Sequence, residues 1–314
     1  MERKPESRYI NPLTDYGFKR VFGEKDIMTA FLTDLLQPKS PISDLTFLDK
    51  ELGGVSESDR GVVYDLLCRS EDGSEFIVEM QNRSQAYFSD RILFYLSRSF
   101  CEQGMRGDTK WDYRLTPVYG IFFLNFHLSG FRPLSVRTVQ LKVNETGEPF
   151  SDKLKVFTLE LPDYRSKAEA DCTTPIDYWL YNITNLETMT TNIPFQEERP
   201  IFGKVGNIAE LVRMTADERR KYNISIDTYR TNLSVMRNER AEGWAEGRAE
   251  GEAIGRAEGE AIGRAEGEAI GRAEGERRKA LSIARSLQTM GMSLDQIARI
   301  TGLDEADLTA PNNF

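Results

Sequence analysis

A tetrapeptide repeat with glycine at every fourth position occupies residues 241–276, AEGWAEGRAEGEAIGRAEGEAIGRAEGEAIGRAEGE. Its nine glycines leave few apolar side chains to bury, so this segment cannot supply a hydrophobic core. The core must therefore lie in the aromatic-rich chain that precedes the repeat. We predict three domains: a core domain at 1–240, the repeat at 241–276, and a small helical tail at 277–314.

The repeat pattern leaves its conformation open. In an isolated helix each glycine costs about 1 kcal/mol relative to alanine, which favours disorder. Arginine and glutamate alternate in a row with a spacing of four that begins at Arg248, and each such pair stabilises a helix by ~0.2–0.5 kcal/mol. Rows of alanine and glycine flank Ile254, Ile262 and Ile270, and the resulting small-residue face would wind right-handedly around a partner. We therefore expect a helix in a homo-oligomer and a frayed linker when the chain is alone.

Charge and histidine content exclude several classes of site. The formal net charge is −9, which disfavours a general electrostatic coat for nucleic acid but still permits a local basic groove. His127 is the single histidine, so histidine-rich metal sites are excluded and a catalytic triad is disfavoured; we expect it to be a satisfied core or edge residue. A metal would be held by oxygen ligands, as magnesium, calcium and manganese are.

Cysteine usage and the amino terminus indicate the cellular setting. Cys68, Cys101 and Cys172 are odd in number and do not form a C-x-x-C motif, so neither a disulfide framework nor a cysteine zinc site is predicted. The first residues lack the apolar region of a signal peptide, and no window approaches the ~18 apolar residues of a membrane span. We expect a reduced, cytoplasmic protein without a membrane partner.

Apolar periodicity within residues 1–240 switches between helical and strand-like patterns. Helical patterns cover 14–23, 27–36, 84–104 and 175–237, with Gly104 placed to end the third as a C′ residue. Strand-like runs cover 61–69, 75–81, 117–126, 134–143 and 154–161. This order of elements predicts an α/β or α+β fold.

The hairpin VVYDLLCRSEDGSEFIVEMQN carries the strongest chemical signal. Asp65 interrupts one apolar strand and Glu79 another. Burying a carboxylate without a partner costs roughly several kcal/mol. Gln81 shares a face with Glu79, because side chains in a strand alternate. These interior polar residues therefore require a functional or structural partner.

The turn of this hairpin decides whether its two acids meet. A three-residue turn that ends with Gly73 in the left-handed region places Asp65 opposite Glu79, with Cβ atoms ~4.5–5.5 Å apart. Two like charges at that distance repel unless a cation lies between them, and a divalent metal is the natural occupant. A two-residue turn would instead place Asp65 opposite Met80 and remove the site.

Four features together resemble the Rpn recombination-promoting nucleases, also called transposases, of the PD-(D/E)XK superfamily. They are the D-x13-E-x-Q pattern, the amino-terminal TDYGFKRVFG, the segment YDLLCRSEDGSEFIVEMQNRSQAYFSDRILFYLSRSF and the acidic glycine repeat. The resemblance implies a restriction-endonuclease-like α/β domain, a mixed sheet flanked by helices. It further implies a magnesium-dependent DNA endonuclease that hydrolyses phosphodiester bonds and promotes recombination or transposition. Manganese is a possible substitute for magnesium.

The resemblance also implies roles for the hairpin residues. Asp65 and Glu79 would hold the metal as its carboxylate ligands, and the Met80 carbonyl would be a third ligand. Gln81 would be the remaining catalytic residue, in the position where the superfamily has a lysine. This departure matters chemically, because an amide can orient a water but cannot stabilise negative charge as an ammonium does.

Four further residues are predicted to bind the substrate. Arg91 and Tyr95 lie on one face of the helix after the hairpin and resemble the family's R-x-x-x-Y element. Arg91 could clamp a phosphate bidentately. Asp15 and Lys19 belong to the DYGFK motif, and Lys19 could replace the positive charge that Gln81 lacks.

The sequence permits two other readings. The acids of the hairpin could form salt bridges with Arg60, Arg69 or Arg91, which would leave an inactive scaffold that binds DNA or a partner. An RNase with the same fold is the third reading. Because the superfamily acts on nucleic acid, DNA is the partner we expect first.

The tail predicts short helices broken at Gly291 and Gly302, with Ser293 and Gln296 as a capping box. It resembles a helix-turn-helix. Residues 304–308, the would-be recognition segment, hold three acids and no basic residue, and such a segment repels phosphate. We therefore favour an oligomerisation or partner module over a DNA reader.

Overall fold

The computed structural model describes residues 7–49, 51–52, 62–104 and 112–309. The chain forms two compact units, Met1–Asn232 and Leu233–Phe314. The described helices are α1 (Asp15–Phe22), α2 (Lys25–Leu36), α3 (Phe88–Gln103), α4 (Pro175–Asn185), α5 (Ile201–Ala209), α6 (Ala216–Thr289), α7 (Leu294–Thr301) and α8 (Glu305–Thr309). The described strands are β1 (Leu45–Phe47), β2 (Glu51–Leu52), β3 (Val62–Val63), β4 (Leu66–Ser70), β5 (Glu75–Gln81), β6 (Val118–Leu124), β7 (Val136–Gln140) and β8 (Leu154–Glu160).

Six strands of the first unit form one mixed sheet in the order β1-β4-β5-β6-β8-β7. The central strands β5, β6 and β8 run parallel, whereas β4 and β7 are antiparallel to their neighbours. The carboxyl ends of β5, β6 and β8 therefore lie at the same edge of the sheet. β2 and β3 form a separate antiparallel pair. A mixed sheet with helices confirms the predicted α/β class and is consistent with the restriction-endonuclease-like domain that the resemblance implies.

Helices pack on both faces of the sheet, because the side chains of each strand alternate between the faces. Ile77 of β5 belongs to a buried cluster with Phe88, at the start of α3. Its neighbour Val78 belongs to a larger cluster that includes residues of α1, α2, α4 and α5. The aromatic centre of the larger cluster has ring centroids 5.1–6.0 Å apart and consists of Phe22, Phe31 and Trp179.

The β4–β5 hairpin has the register that the three-residue turn predicts. Leu66 pairs with Val78, and Cys68 pairs with Phe76. Gly73 ends the turn with φ of +85°, the left-handed conformation that glycine adopts without a steric penalty. The prediction of this register is confirmed, and the two-residue alternative is not formed.

The predicted strand at 61–69 is interrupted near its middle. β3 ends at Val63 and β4 begins at Leu66, so Asp65 lies between two strands. The interruption has a physical cause, because the Asp65 backbone N–H donates a hydrogen bond to the Glu79 carboxylate instead of to a neighbouring strand. Asp65 is therefore outside the strand pairing, at the position where its carboxylate is predicted to hold a metal.

Two predicted helices also differ in extent. α3 begins at Phe88 rather than at residue 84, because Tyr87 has a left-handed backbone with φ of 61°. Gly104 ends α3 as predicted, although as its C-cap residue with an extended backbone rather than at C′. The helical pattern at 175–237 is divided among α4, α5 and α6: residues 186–200 separate the first two, and Glu210, whose backbone forms a β-bridge with Tyr9, follows the second.

The glycine repeat is helical along its whole length. α6 continues without a break from Ala216 to Thr289, through the predicted boundaries near residues 240 and 276. The single chain therefore does not adopt the frayed linker that we expected in the absence of association. Self-association of the repeat stays a prediction. Among the described residues, no helix has the length and apolar character needed to cross a membrane.

The tail has the helix breaks that its glycines predict. Gly291 and Gly302 adopt left-handed φ values of 82° and 71°. The Ser293 backbone N–H donates to Oε1 of Gln296 at 3.2 Å, which supports the predicted capping box at the start of α7. A small apolar cluster holds the tail together, with buried members Ala284, Ile297, Leu303 and Leu308.

Candidate functional site

Asp65 and Glu79 meet across the hairpin, as the register predicts. The Asp65 backbone N–H donates to Oε1 of Glu79 at 3.0 Å. In return, the Met80 backbone N–H donates to Oδ2 of Asp65 at 2.9 Å. Each carboxylate is thus fixed by a backbone group of the opposite segment, which leaves little freedom for either side chain to turn away.

Burial makes this pair of acids difficult to ionise. Glu79 is 2% exposed, and burial, followed by the negative charge of Asp65, raises its pKa to about 8. Burial also raises the pKa of Asp65, against the opposing effects of the Met80 N–H and the Lys19 ammonium. Two ionised carboxylates are unfavourable here at neutral pH unless a cation compensates them.

The donor set fits a hard divalent cation. Magnesium is commonly held by one or two carboxylates and keeps several of its waters, so it does not need a complete cage of protein ligands. Each carboxylate oxygen also retains a lone pair beyond its hydrogen bond. Among the described residues, no third histidine, cysteine or acid completes a cluster of metal-binding side chains. The Met80 carbonyl stays a prediction as a ligand.

Gln81 links the acids to the following helix. Its Nε2 donates to Oε2 of Glu79 at 3.0 Å. Its Oε1 accepts a long hydrogen bond from Nη1 of Arg91 at 3.5 Å. The amide is 9% exposed and bridges the carboxylate and the guanidinium, so it lies beside the acids as the predicted catalytic position requires.

Lys19 contributes the positive charge closest to Asp65. Its Nζ lies 3.7 Å from Oδ1 of Asp65 and also binds Asp15, one turn earlier in α1. Thr14 caps this helix by accepting a hydrogen bond from the Gly17 N–H. The DYGFK motif therefore reaches the site through Lys19, while Asp15 contacts the lysine.

The salt-bridge reading of the hairpin finds a different partner from those predicted. Arg69 binds Glu75 at 2.6 Å, and Arg91 contacts Gln81 rather than either acid of the pair. Arg60 lies outside the described residues. Among the residues that the structure describes, the basic side chain found within 4.0 Å of Asp65 is Lys19, which forms a long ion pair at 3.7 Å.

Arg91 and Tyr95 lie next to the site, and their role in binding the substrate stays a prediction. The Arg91 guanidinium carbon is 4.9 Å from the centroid of the Tyr95 ring, and Nη1 also donates to Gln85 at 3.1 Å. Tyr64, fully buried and adjacent to Asp65, donates from its hydroxyl to the Tyr95 carbonyl at 3.0 Å. Tyr64 was not among the residues predicted from the sequence, although its position beside the acid was an available signal.

Another buried acid lies elsewhere on the sheet. Glu160 is fully buried at the end of β8, and its Oε2 is 2.9 Å from Nδ1 of His127. Arg137 donates to the other oxygen at 3.1 Å. His127 is therefore a satisfied edge residue, as expected. Glu160 was missed, although it carries the same signal as Glu79, an acid in an apolar strand.

Two family models match the chain. The model described as PD-(D/E)XK nuclease family transposase matches residues 12–239. The model described as Rpn/YhgA-like nuclease family, C-terminal HTH domain, matches residues 277–311. No curated protein and no solved structure matches the sequence. The first match covers most of the chain and includes every residue of the candidate site, and the second confirms the helix-turn-helix resemblance of the tail.

The elevated pKa of Glu79 predicts an inverse pH dependence of stability. Without metal, the folded state keeps a proton on Glu79 up to pH about 8, whereas the unfolded state releases it near 4.5. Stability contributed by this group is therefore present below pH about 4.5 and is lost as the pH rises towards 8, at roughly 1 kcal/mol per unit. Glu79→Gln should abolish that decline.

Urea unfolding between pH 5 and 8 in EDTA measures this effect. Asp90→Asn, which changes an exposed acid on α3, is the matched control and should retain the decline of the wild type. An identical pH dependence in wild type and Glu79→Gln would show that Glu79 ionises normally, and the strained carboxylate pair would then be absent.

Proposed function

Because the chain belongs to the PD-(D/E)XK nuclease family transposases, we propose that it is a magnesium-dependent DNA endonuclease that hydrolyses phosphodiester bonds and promotes recombination or transposition. The observation that carries the proposal is the convergence of Asp65 and Glu79, each fixed by a backbone N–H of the other segment. An ion pair between the two groups does not explain this arrangement, because both are acids. Manganese is the expected substitute for magnesium, since it accepts the same oxygen ligands.

The carboxylates hold the metal in this proposal. When bound, magnesium supplies a water of lowered pKa and neutralises charge at the scissile phosphate. Glu79 must be ionised to act as a ligand, so it would release to solvent the proton that burial retains on it. Asp65 faces the more open side of the pair, since its side chain is 25% exposed. It is the ligand that substrate can approach.

Gln81 orients the attacking water rather than activating it by charge. Its amide oxygen is an acceptor for a water proton, and its Nε2 is already committed to Glu79. Positive charge at the site comes from Lys19, beside Asp65, and from Arg91, beside Gln81. Lys19 takes the electrostatic role of the superfamily lysine, and Arg91 clamps a phosphate oxygen. Tyr95 keeps the guanidinium in place by stacking.

The tail serves association rather than base recognition in this proposal. Arg299 is the basic residue of α7, and it pairs with Asp295 at 3.6 Å. Exposed apolar side chains such as Ile300 are available for a partner. DNA binding is assigned to the nuclease domain, and the helix-turn-helix domain joins copies of the chain or holds a partner.

An inactive scaffold that binds DNA or a partner is the second candidate function. Gln81 favours it, because the amide is neutral and its nitrogen binds the very carboxylate that should hold the metal. Such a protein would keep the fold and the Arg91 contacts without turnover. The two candidates differ in a single observable, which is the dependence of DNA cleavage on the carboxylate pair.

Plasmid nicking with magnesium tests the proposal. Wild type should nick supercoiled DNA with magnesium or manganese and not with EDTA. Asp65→Asn and Glu79→Gln should each lower the rate at least about 100-fold, because each removes a ligand charge from the metal. Asp90→Asn, the exposed acid of α3, should cleave as wild type does. Equal cleavage by wild type and Asp65→Asn would place the activity elsewhere.

The assignment of positive charge to Lys19 generates a separate prediction. Lys19→Met should lower kcat about 10- to 100-fold. Gln81→Lys should restore part of that loss in the double variant, because it returns an ammonium to the superfamily position. Lys25→Met is the control, since Lys25 pairs with Asp44 on the surface. Wild-type kcat in Lys19→Met would contradict the role of this lysine.

A further inference from the structure

Two exposed aromatic side chains flank Arg91 at the edge of the candidate site. Tyr87 is 81% exposed and ends the segment that leads from the carboxyl end of β5 into α3. Phe94 is 44% exposed and lies three residues after Arg91, hence beside it on the helix surface. Most large aromatic residues of this unit are buried, so two exposed rings next to a site cation require an explanation.

Hydrogen bonds connect the helix segment that carries these two residues to the acids. The Arg91 backbone N–H donates to the Tyr87 carbonyl at 3.1 Å, which fixes Tyr87 one helical turn before the arginine. The Arg91 side chain reaches Gln81, which in turn binds Glu79. A ligand on the carboxylate pair that extends past Arg91 would therefore meet Tyr87 or Phe94.

Aromatic rings interleaved with a cation are the chemistry that binds unpaired nucleic acid. Bases stack on aromatic side chains because every base has a π-face, while arginine contacts the phosphates between them. Duplex DNA cannot use this surface, since its bases are already stacked on one another. Tyr87 is the N-cap residue of α3, with a left-handed backbone at φ of 61°, and its side chain is exposed there.

We propose that Tyr87 and Phe94 form a stacking surface for unpaired bases beside the scissile phosphate, and that the preferred substrate is single-stranded DNA or a duplex with unpaired bases. This inference rests on the proposed nuclease function and names the substrate class of that same site. Arg91 holds the phosphate between the stacked base and the carboxylate pair. Duplex DNA is cut where its bases separate.

Tyr113 provides a matched control. It is also left-handed, with φ of 61°, and 80% exposed. It precedes the amino end of β6, whereas Tyr87 follows the carboxyl end of β5, and these two strands run parallel. The two tyrosines therefore share backbone conformation and exposure but lie towards opposite edges of the sheet.

The test measures binding and cleavage of matched single-stranded and duplex oligonucleotides by the full-length protein. Tyr87→Ala and Phe94→Ala should each weaken binding of a single-stranded 12-mer, followed by fluorescence anisotropy in EDTA, by about 5- to 150-fold. Duplex binding should change by less than about 2-fold. Phe94→Leu, which keeps an apolar side chain without a ring, should lose as much as Phe94→Ala. Tyr87→Phe and Tyr113→Ala should bind as wild type does.

Cleavage with magnesium separates this inference from the proposed function. If wild type cleaves DNA but Tyr87→Ala and Phe94→Ala retain wild-type kcat/KM on single strands, the stacking surface is refuted and the nuclease stands. If wild type cleaves nothing but the ring variants selectively lose single-strand binding, the nuclease fails and the surface stands. An equal loss for both substrate forms would overturn the preference for unpaired bases.

Discussion

Two acidic side chains held against each other by the backbone are the constraint on which the site depends. Asp65 and Glu79 each accept a backbone hydrogen bond from the opposing segment, so neither can rotate away to relieve the repulsion between them. Burial strengthens the conflict, because the charged form of Glu79 is the one that loses solvation. The folded chain thus stores an unfavourable arrangement that a bound cation would relieve, which is how metal sites commonly couple to protonation.

The rest of the first unit is arranged to maintain this contact. The turn at Gly73 sets the register, and a shift of one residue would send Asp65 to the other face of the sheet. Tyr64 ties the segment before β4 to α3 through the Tyr95 carbonyl, and α3 carries Arg91 to Gln81. Lys19 approaches from α1 on the other side. Positive charge therefore surrounds the acids without neutralising them, which leaves them available to a metal.

Much of this site could be predicted from the sequence, because strand alternation and turn length are local rules. The acids at 65 and 79 are visible as charges within apolar runs, and the Glu71, Asp72 and Gly73 turn limits the register to two choices. Long-range partners were harder to predict. The approach of Lys19 to Asp65 depends on how α1 packs against the sheet, and no periodicity encodes that. The continuous α6 helix was also underestimated: a glycine cost of about 1 kcal/mol set against ~0.2–0.5 kcal/mol for a pair such as Arg248 and Glu252 predicts fraying, whereas the chain is helical throughout.

The most direct test of whether the two carboxylates share a cation is isothermal titration calorimetry. The metal-free protein is titrated with magnesium at pH 7 in buffers of different ionisation enthalpy. The pKa of about 8 means that Glu79 is largely protonated at this pH, so binding at one site should release a proton. Asp65→Asn and Glu79→Gln should each abolish that binding. Magnesium binding that persists in both variants, or that releases no proton, would contradict a metal held between these two carboxylates.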